Sequence, residues 1–186
     1  MKIRLEKNES DMQKATRLLS GCSEAIPSVF SNAMNRAAEQ GRTAAIRCVT
    51  KEYTVKARTV RETMRIKKAT KDDLNTELTS RGARLPLRDF RHSPSSGDTT
   101  GANRKQVRVA VKRGGMRPLE NAFIYRGRIF QRLGSARLPV EQKFSNAVPV
   151  MLNNDAVVNE VTETMESAMS RRLDYEVNRT LQKAVK

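Results

Sequence analysis

The chain has 186 residues and a mass of 21.0 kDa, enough for one domain with extended arms and too short for two full enzyme domains. Lys and Arg number 36 against 20 Asp and Glu, a net charge of +16 that favours an acidic or neutral surface partner. One histidine, two cysteines and no tryptophan leave few metal ligands, and 38% hydrophobic with 4% aromatic residues predicts a thin core that leans on neighbouring subunits.

In chain order, the first predicted helix runs from about Ser10 to Leu19. Ser10 or Asn8 caps it, Met12, Ala15, Leu18 and Leu19 recur at helical spacing, and Gly21 stops it, so residues 1–22 read as an N-terminal helical arm. A second helix starts near Ser23 or Pro27 and continues to about Thr50. Gly41 interrupts it without having to break it, and Ala33, Ala37, Ala38, Ala44 and Ala45 suit the close approach of another element. Cys22 and Cys48 fall in these helical stretches and read as reduced thiols with no His or second Cys beside them.

Thr54 is placed to cap a third helix through about Met64, with Val55, Val60 and Met64 on one side. Leu74 to Arg81 and Ala83 to Leu87 have the strand period of two, and Pro86 assigns the second piece to an edge or bulge. Residues 91–105 hold nothing apolar larger than Ala102 and predict a long flexible loop. Gln106 to Lys112 alternates as a strand, with Val107, Val109 and Val111 on one face. Ala122 to Tyr125 and Ile129 to Leu133 flank Arg126-Gly127-Arg128 as a hairpin. Four of the eight aromatics lie between Phe123 and Phe144, which predicts that the core is anchored there. A last helix runs from an Asn154 or Asp155 cap to about Lys183, acidic in its first half and basic in its second. The order of helices, strand-rich centre and closing helix is an α+β plan, taken as a single domain over residues 1–186.

The charge is unevenly placed. Residues 1–41 carry +1, residues 42–137 carry +16 and residues 138–186 carry −1. Two near-neutral helical ends thus frame a basic centre, whose bias of sign points to an anionic surface or nucleic acid. The candidate contacts are Lys56, Arg58, Arg61, Arg65, Lys67 and Lys68, for which a simply solvated helix face is the other reading, with Arg104 and Lys105 at the end of the loop. Several could neutralise phosphates, but contacts of that kind position without reading sequence. No zinc-finger spacing, stacking motif or basic zipper accompanies them.

Enzymatic signatures are missing from the sequence. There is no phosphate loop, dinucleotide loop, zinc-protease helix or serine elbow. His92 stands among serines without a carboxylate to orient it, and Asp72, Asp73 and Asp98 read as turn or cap residues rather than metal ligands. No cofactor is expected. No apolar run approaches the roughly 20 residues that span a bilayer, so no membrane partner is expected either.

Several segments together resemble the minor tail protein Z family of long-tailed phages. They are Asn32-Ala33-Met34-Asn35-Arg36-Ala37-Ala38, Lys56-Ala57-Arg58-Thr59-Val60-Arg61, Ile66-Lys67-Lys68-Ala69-Thr70 and Leu85-Pro86-Leu87. In the second half, Ala122-Phe123-Ile124, Gly127-Arg128-Ile129-Phe130-Gln131-Arg132 and Val148-Pro149-Val150-Met151 precede the closing helix in the family's order. The resemblance covers about residues 25–186. It implies a non-enzymatic tail-completion protein of the virion, made in the host cytoplasm and placed at the head-proximal end of the tail. It further implies a homo-oligomeric ring of six copies, touching the tail terminator or tail-tube ring and the head–tail connector, with phage DNA in the lumen. Six copies would bring about +96 to one ring, a field that an acidic ring or DNA must match. The alternative reading of the residues is a non-specific DNA-binding protein, whose affinity would fall steeply with salt.

Overall fold

The computed structural model describes residues 1–5, 9–95, 97, 99 and 105–184. The first half of the chain forms β1 (Lys2–Leu5), α1 (Glu9–Leu18), a 3₁₀ turn (Ser23–Ala25), α2 (Ile26–Glu52), α3 (Ala57–Glu62), β2 (Met64–Lys67) and β3 (Thr76–Ser80). Then come β4 (Arg84–Pro86), a second 3₁₀ turn (Leu87–Asp89), β5 (Arg91–Ser93), β6 (Arg108–Ala110) and β7 (Arg117–Pro118). The chain continues through β8 (Ala122–Tyr125), β9 (Arg128–Arg132), β10 (Val140–Gln142), β11 (Phe144–Ala147), α4 (Val148–Leu152) and α5 (Asp155–Ala184). The α+β plan holds. The elements divide into two compact units, one of residues 1–45, 64–80 and 152–186, the other of 46–63 and 81–151.

The first unit is mostly helical. Its antiparallel sheet has the order β1-β3-β2, with Ile3 opposite Leu78 and Ile66 opposite the same residue on the other side. Alternation buries Ile3, Leu5, Met64 and Leu78 and turns Lys2, Arg4, Arg65 and Lys67 outward. Phe30 and Met34 of α2, with Val161 and Met165 of α5, are fully enclosed. A methionine seat explains Gly41: a Cβ there would overlap Cγ and Sδ of Met165. The helix therefore keeps a poor helix former in mid-span to let α5 close on it. α5 begins as expected, with Oδ1 of Asn154 accepting the Ala156 N–H at 3.1 Å.

Asn35 of α2 is fastened to the β2–β3 connection by two bonds. Its amide nitrogen donates to the Ala69 carbonyl at 3.0 Å, and its Oδ1 accepts the Ala69 N–H at 2.8 Å. Ala69 is buried, so both backbone groups depend on that amide. Asn35→Leu strands them, and we expect a loss of about 2–3 kcal/mol, read in urea as a lower midpoint with an unchanged slope. An unchanged midpoint would show that neither bond contributes.

The second unit is built from short ladders. β8 and β9 form the predicted hairpin, in which Arg126 (φ 47°) and Gly127 (φ 69°) both occupy the left-handed region that a two-residue turn requires. β10 extends that sheet to the order β10-β9-β8, β5-β6-β7 forms another, and β11 pairs with β4. Pro86 lies on that two-stranded ladder, opposite Phe144, in keeping with its edge assignment.

Several expectations need correction. Residues 2–5 are a strand, β1, and α1 covers Glu9–Leu18, so the 1–22 arm is not helical throughout. Thr54 does not cap α3, whose N-cap is Lys56 without a side-chain bond. Its hydroxyl instead donates to the Ala110 carbonyl and accepts the Arg91 N–H, joining the residues after α2 to β5 and β6. The helix predicted through Met64 ends at Glu62, and Met64 begins β2. Within 91–105, Arg91–Ser93 is strand and Thr99 is buried, exchanging bonds with the backbone of Ile124, so those positions are not a flexible loop. Residues 96, 98 and 100–104 lie outside the described residues. The aromatics between Phe123 and Phe144 do not anchor the core: Tyr125 and Phe144 are exposed, Phe123 and Phe130 half-buried, and the hairpin buries Ile124 and Ile129.

Candidate interaction surface

The division into units sorts the charge more sharply than the sequence does. The second unit carries 20 basic and 6 acidic side chains, +14 of the total, whereas the first carries 16 and 14, or +2. In the first unit cations meet carboxylates: Lys2 and Arg4 with Glu77, Lys14 with Asp174, Arg36 with Glu39, Lys67 with Asp73, and Arg172 and Arg179 with Glu176. The second unit has too few carboxylates for this. Arg58 pairs with Glu62 at 2.8 Å, Lys112 with Glu52 at 2.6 Å and Lys143 with Glu141 at 3.6 Å, and the unit's other 17 cations outnumber its three other carboxylates. The hydrogen bond to Glu62, then its charge, raises the Arg58 pKa further. Glu52 does the same for Lys112, which also stands 5.6 Å from the Tyr53 ring centre.

The eight candidate residues do not form one cluster. Lys56, Arg58 and Arg61 belong to the second unit, around α3, and all three are exposed. Arg65 and Lys67 belong to the first unit, on β2, with Lys68 just after it, and these three are also exposed. Lys105 is exposed ahead of β6, and Arg104 lies outside the described residues. Lys67 donates to Asp73 at 2.9 Å, and that hydrogen bond, followed by one from Asn75, lowers the Asp73 pKa. Arg58 and Lys67 are thus already engaged, while Lys56, Arg61, Arg65 and Lys68 keep their charge outward.

Sequence reasoning missed Lys2 and Arg4. The β1-β3-β2 register puts Lys2 and Arg65 on either side of Thr79, and Arg4 and Lys67 on either side of Glu77, so four cations share one solvated face. The only local signal was the alternation of Lys2-Ile3-Arg4-Leu5. Arg128 and Arg132 were also missed, although their period-two spacing with Phe130 marks that side of β9 as outward. Among the described residues no group of three or more His, Cys, Asp or Glu side chains is placed to hold a metal ion, and no helix is long and apolar enough to cross a membrane.

Neither the curated proteins nor the solved structures offer a match to this chain. The family described as prophage minor tail protein Z (GPZ) matches residues 11–186, a span that includes the whole second unit, most of the first, both long helices and the hairpin. With nearly the whole chain covered, the protein belongs to the prophage minor tail protein Z family and is a phage minor tail protein.

Proposed function

We propose that this minor tail protein completes the tail at its head-proximal end, assembling there as a ring of six copies that helps join the tail to the head connector. Its work in this reading is structural, without a catalytic step. The observation that carries it is the separation of charge: a near-neutral helical unit with internally paired ions, and a β-rich unit of +14 that needs an anionic neighbour. The helical unit then serves as frame and the β-rich unit as contact surface. Lys56, Arg61 and Lys105 of the second unit present charge toward the acidic neighbour, a tail terminator or tail-tube ring or the connector, with DNA in the lumen as a further counter-charge; Arg65 and Lys68 of the first unit are a separate outward pair. Family membership supports the location in the virion.

Gold-labelled antibody on purified virions, viewed by electron microscopy beside tail-only particles, tests the placement. We expect label confined to the head-proximal tail end of both. Label along the tail shaft or at the distal tip would overturn it. Steep salt-dependent binding of the free subunit to duplex DNA, with no label on particles, would favour a non-specific DNA-binding protein instead.

A further inference from the structure

The β10-β9-β8 sheet has one face packed and one face open. Directly opposed residues share a face, so the pairs Phe123–Phe130, Tyr125–Arg128 and Val140–Arg132 place all six side chains together. Ile124 and Ile129 occupy the other face and are buried. The open face is apolar at its centre and cationic around it. Phe123 and Phe130 stack with ring centres 5.8 Å apart, the Arg132 guanidinium lies 4.9 Å from the Phe123 centre, and Tyr125 is 43% exposed. Aromatic and arginine side chains are enriched where proteins meet, because they bury large area with little entropy lost and can still pair with charge at the rim. A monomer gains nothing by leaving such a surface in water.

We infer that this sheet face docks a second copy of the chain through the acidic first half of that copy's α5. The argument is charge complementarity. The second unit of another copy is itself strongly positive and would be repelled. The first half of α5 carries Glu160, Glu163 and Glu166, all exposed, with no basic side chain between Asp155 and Ser170. Arg128 at the rim meets those carboxylates together with Arg132, whose guanidinium also donates to the Arg137 carbonyl, and the Phe123–Phe130 pair takes the apolar stems and small side chains between them. The two surfaces are different, so the contact is head-to-tail, the kind that closes into a ring rather than stopping at a dimer. This inference rests on the ring proposed above and names the surfaces that build it.

Photo-cross-linking in assembled particles tests it, with p-benzoylphenylalanine at position 125 and a mixture of isotopically light and heavy chains. We expect cross-links from residue 125 to residues 155–170 of a differently labelled chain. Cross-links to another virion protein, to the same chain, or none at all would overturn the pairing. A second measurement is incorporation of charge-swapped chains whose melting matches the parent. Arg128→Glu with Arg132→Glu, or Glu160→Arg with Glu163→Arg and Glu166→Arg, should each lower incorporation at least tenfold, and the combined variant should recover most of it. Full incorporation of either single set, in particles whose chains still cross-link to one another at other positions, overturns this face while the ring stands. Particles in which no two copies cross-link at any position overturn the ring itself.

Discussion

Gly41→Leu is expected to be among the most damaging single substitutions in the helical unit. The site is buried, and even a Cβ would overlap the Cγ and Sδ of Met165, itself fully enclosed. Two terms compete. Leucine in place of glycine favours the helix by roughly 0.8–1 kcal/mol, whereas overpacking a closed core costs about 1–3 kcal/mol or more. A whole isobutyl group exceeds what a methionine rotamer can surrender, which puts the overpacking cost above the usual range at about 4 kcal/mol, so we expect a net loss of about 3 kcal/mol, or roughly 6–12 °C in melting temperature for a chain of this size. Gly41→Ala tests the balance itself and should lose about 1 kcal/mol despite its better helix propensity. Coupling to Met165 provides the check. Met165→Ala alone opens a cavity at a cost of about 2–5 kcal/mol, but in the Gly41→Leu background the new side chain fills that space, so the double variant should be more stable than the sum of the two losses by about 1–3 kcal/mol. Additive losses would mean that Gly41 does not seat Met165.

That contact bears on how much of the fold could be read in advance. The two long helices were legible because their apolar positions repeat over 27 and 30 residues, long enough for periodicity to outweigh a glycine. What Gly41 faces was not legible, since Met165 is far away in sequence. The same non-locality hid β2. Met64-Arg65-Ile66-Lys67 has two apolar residues in a basic run, and its strand character comes from pairing with β3, which β1 covers on the other side. The hairpin was legible from Arg126-Gly127, yet its sidedness was misread. Period two separates Phe123 and Tyr125 from Ile124 without saying which set goes inside, and the expectation that large aromatics bury first chose the wrong one. Arg128 and Arg132 on the face of Phe130 held the answer.

The candidate surface was legible as a bias of sign and not as a place. Counting along the chain put the excess in residues 42–137, and the fold confirms a basic β-rich unit while leaving Arg65, Lys67 and Lys68 in the helical one. Arg58 and Glu62 stand four residues apart in α3, a spacing that announces an ion pair, so the engagement of Arg58 could have been anticipated. Lys67 with Asp73 could not, because the pair depends on the turn between two strands. The practical consequence is that reversing Lys56 or Arg61 removes charge that faces outward, whereas reversing Arg58 or Lys67 first disturbs a partner within the chain.

Glu176→Lys is the second substitution expected to act strongly, for an electrostatic reason. Glu176 is 3% exposed on α5, with Arg172 one turn before it and Arg179 one turn after. Its Oε1 lies 2.6 Å from a terminal Arg172 nitrogen, an ion pair off the hydrogen-bond line, while Oε2 accepts from Arg179 at 3.4 Å. A buried carboxylate is tolerable only because two guanidinium groups share its charge, and both keep one side in water. Replacing it with glutamine keeps the volume and lets the arginines rehydrate, so about 1–2 kcal/mol should be lost. Lysine leaves a buried cation between two others with nothing to neutralise it, and about 3–5 kcal/mol should go, a fall of roughly 10 °C in melting temperature. Thermal unfolding of both variants beside the parent distinguishes them, and equal losses for glutamine and lysine would show that the carboxylate acts by shape alone. The ordering also bears on function. By holding Arg172 and Arg179 to an internal carboxylate, Glu176 limits the outward positive charge of the second half of α5 to the exposed Arg171 and Lys183. The exposed Glu160, Glu163 and Glu166 of the first half then remain the dominant outward charges of that helix, facing whatever basic surface approaches it.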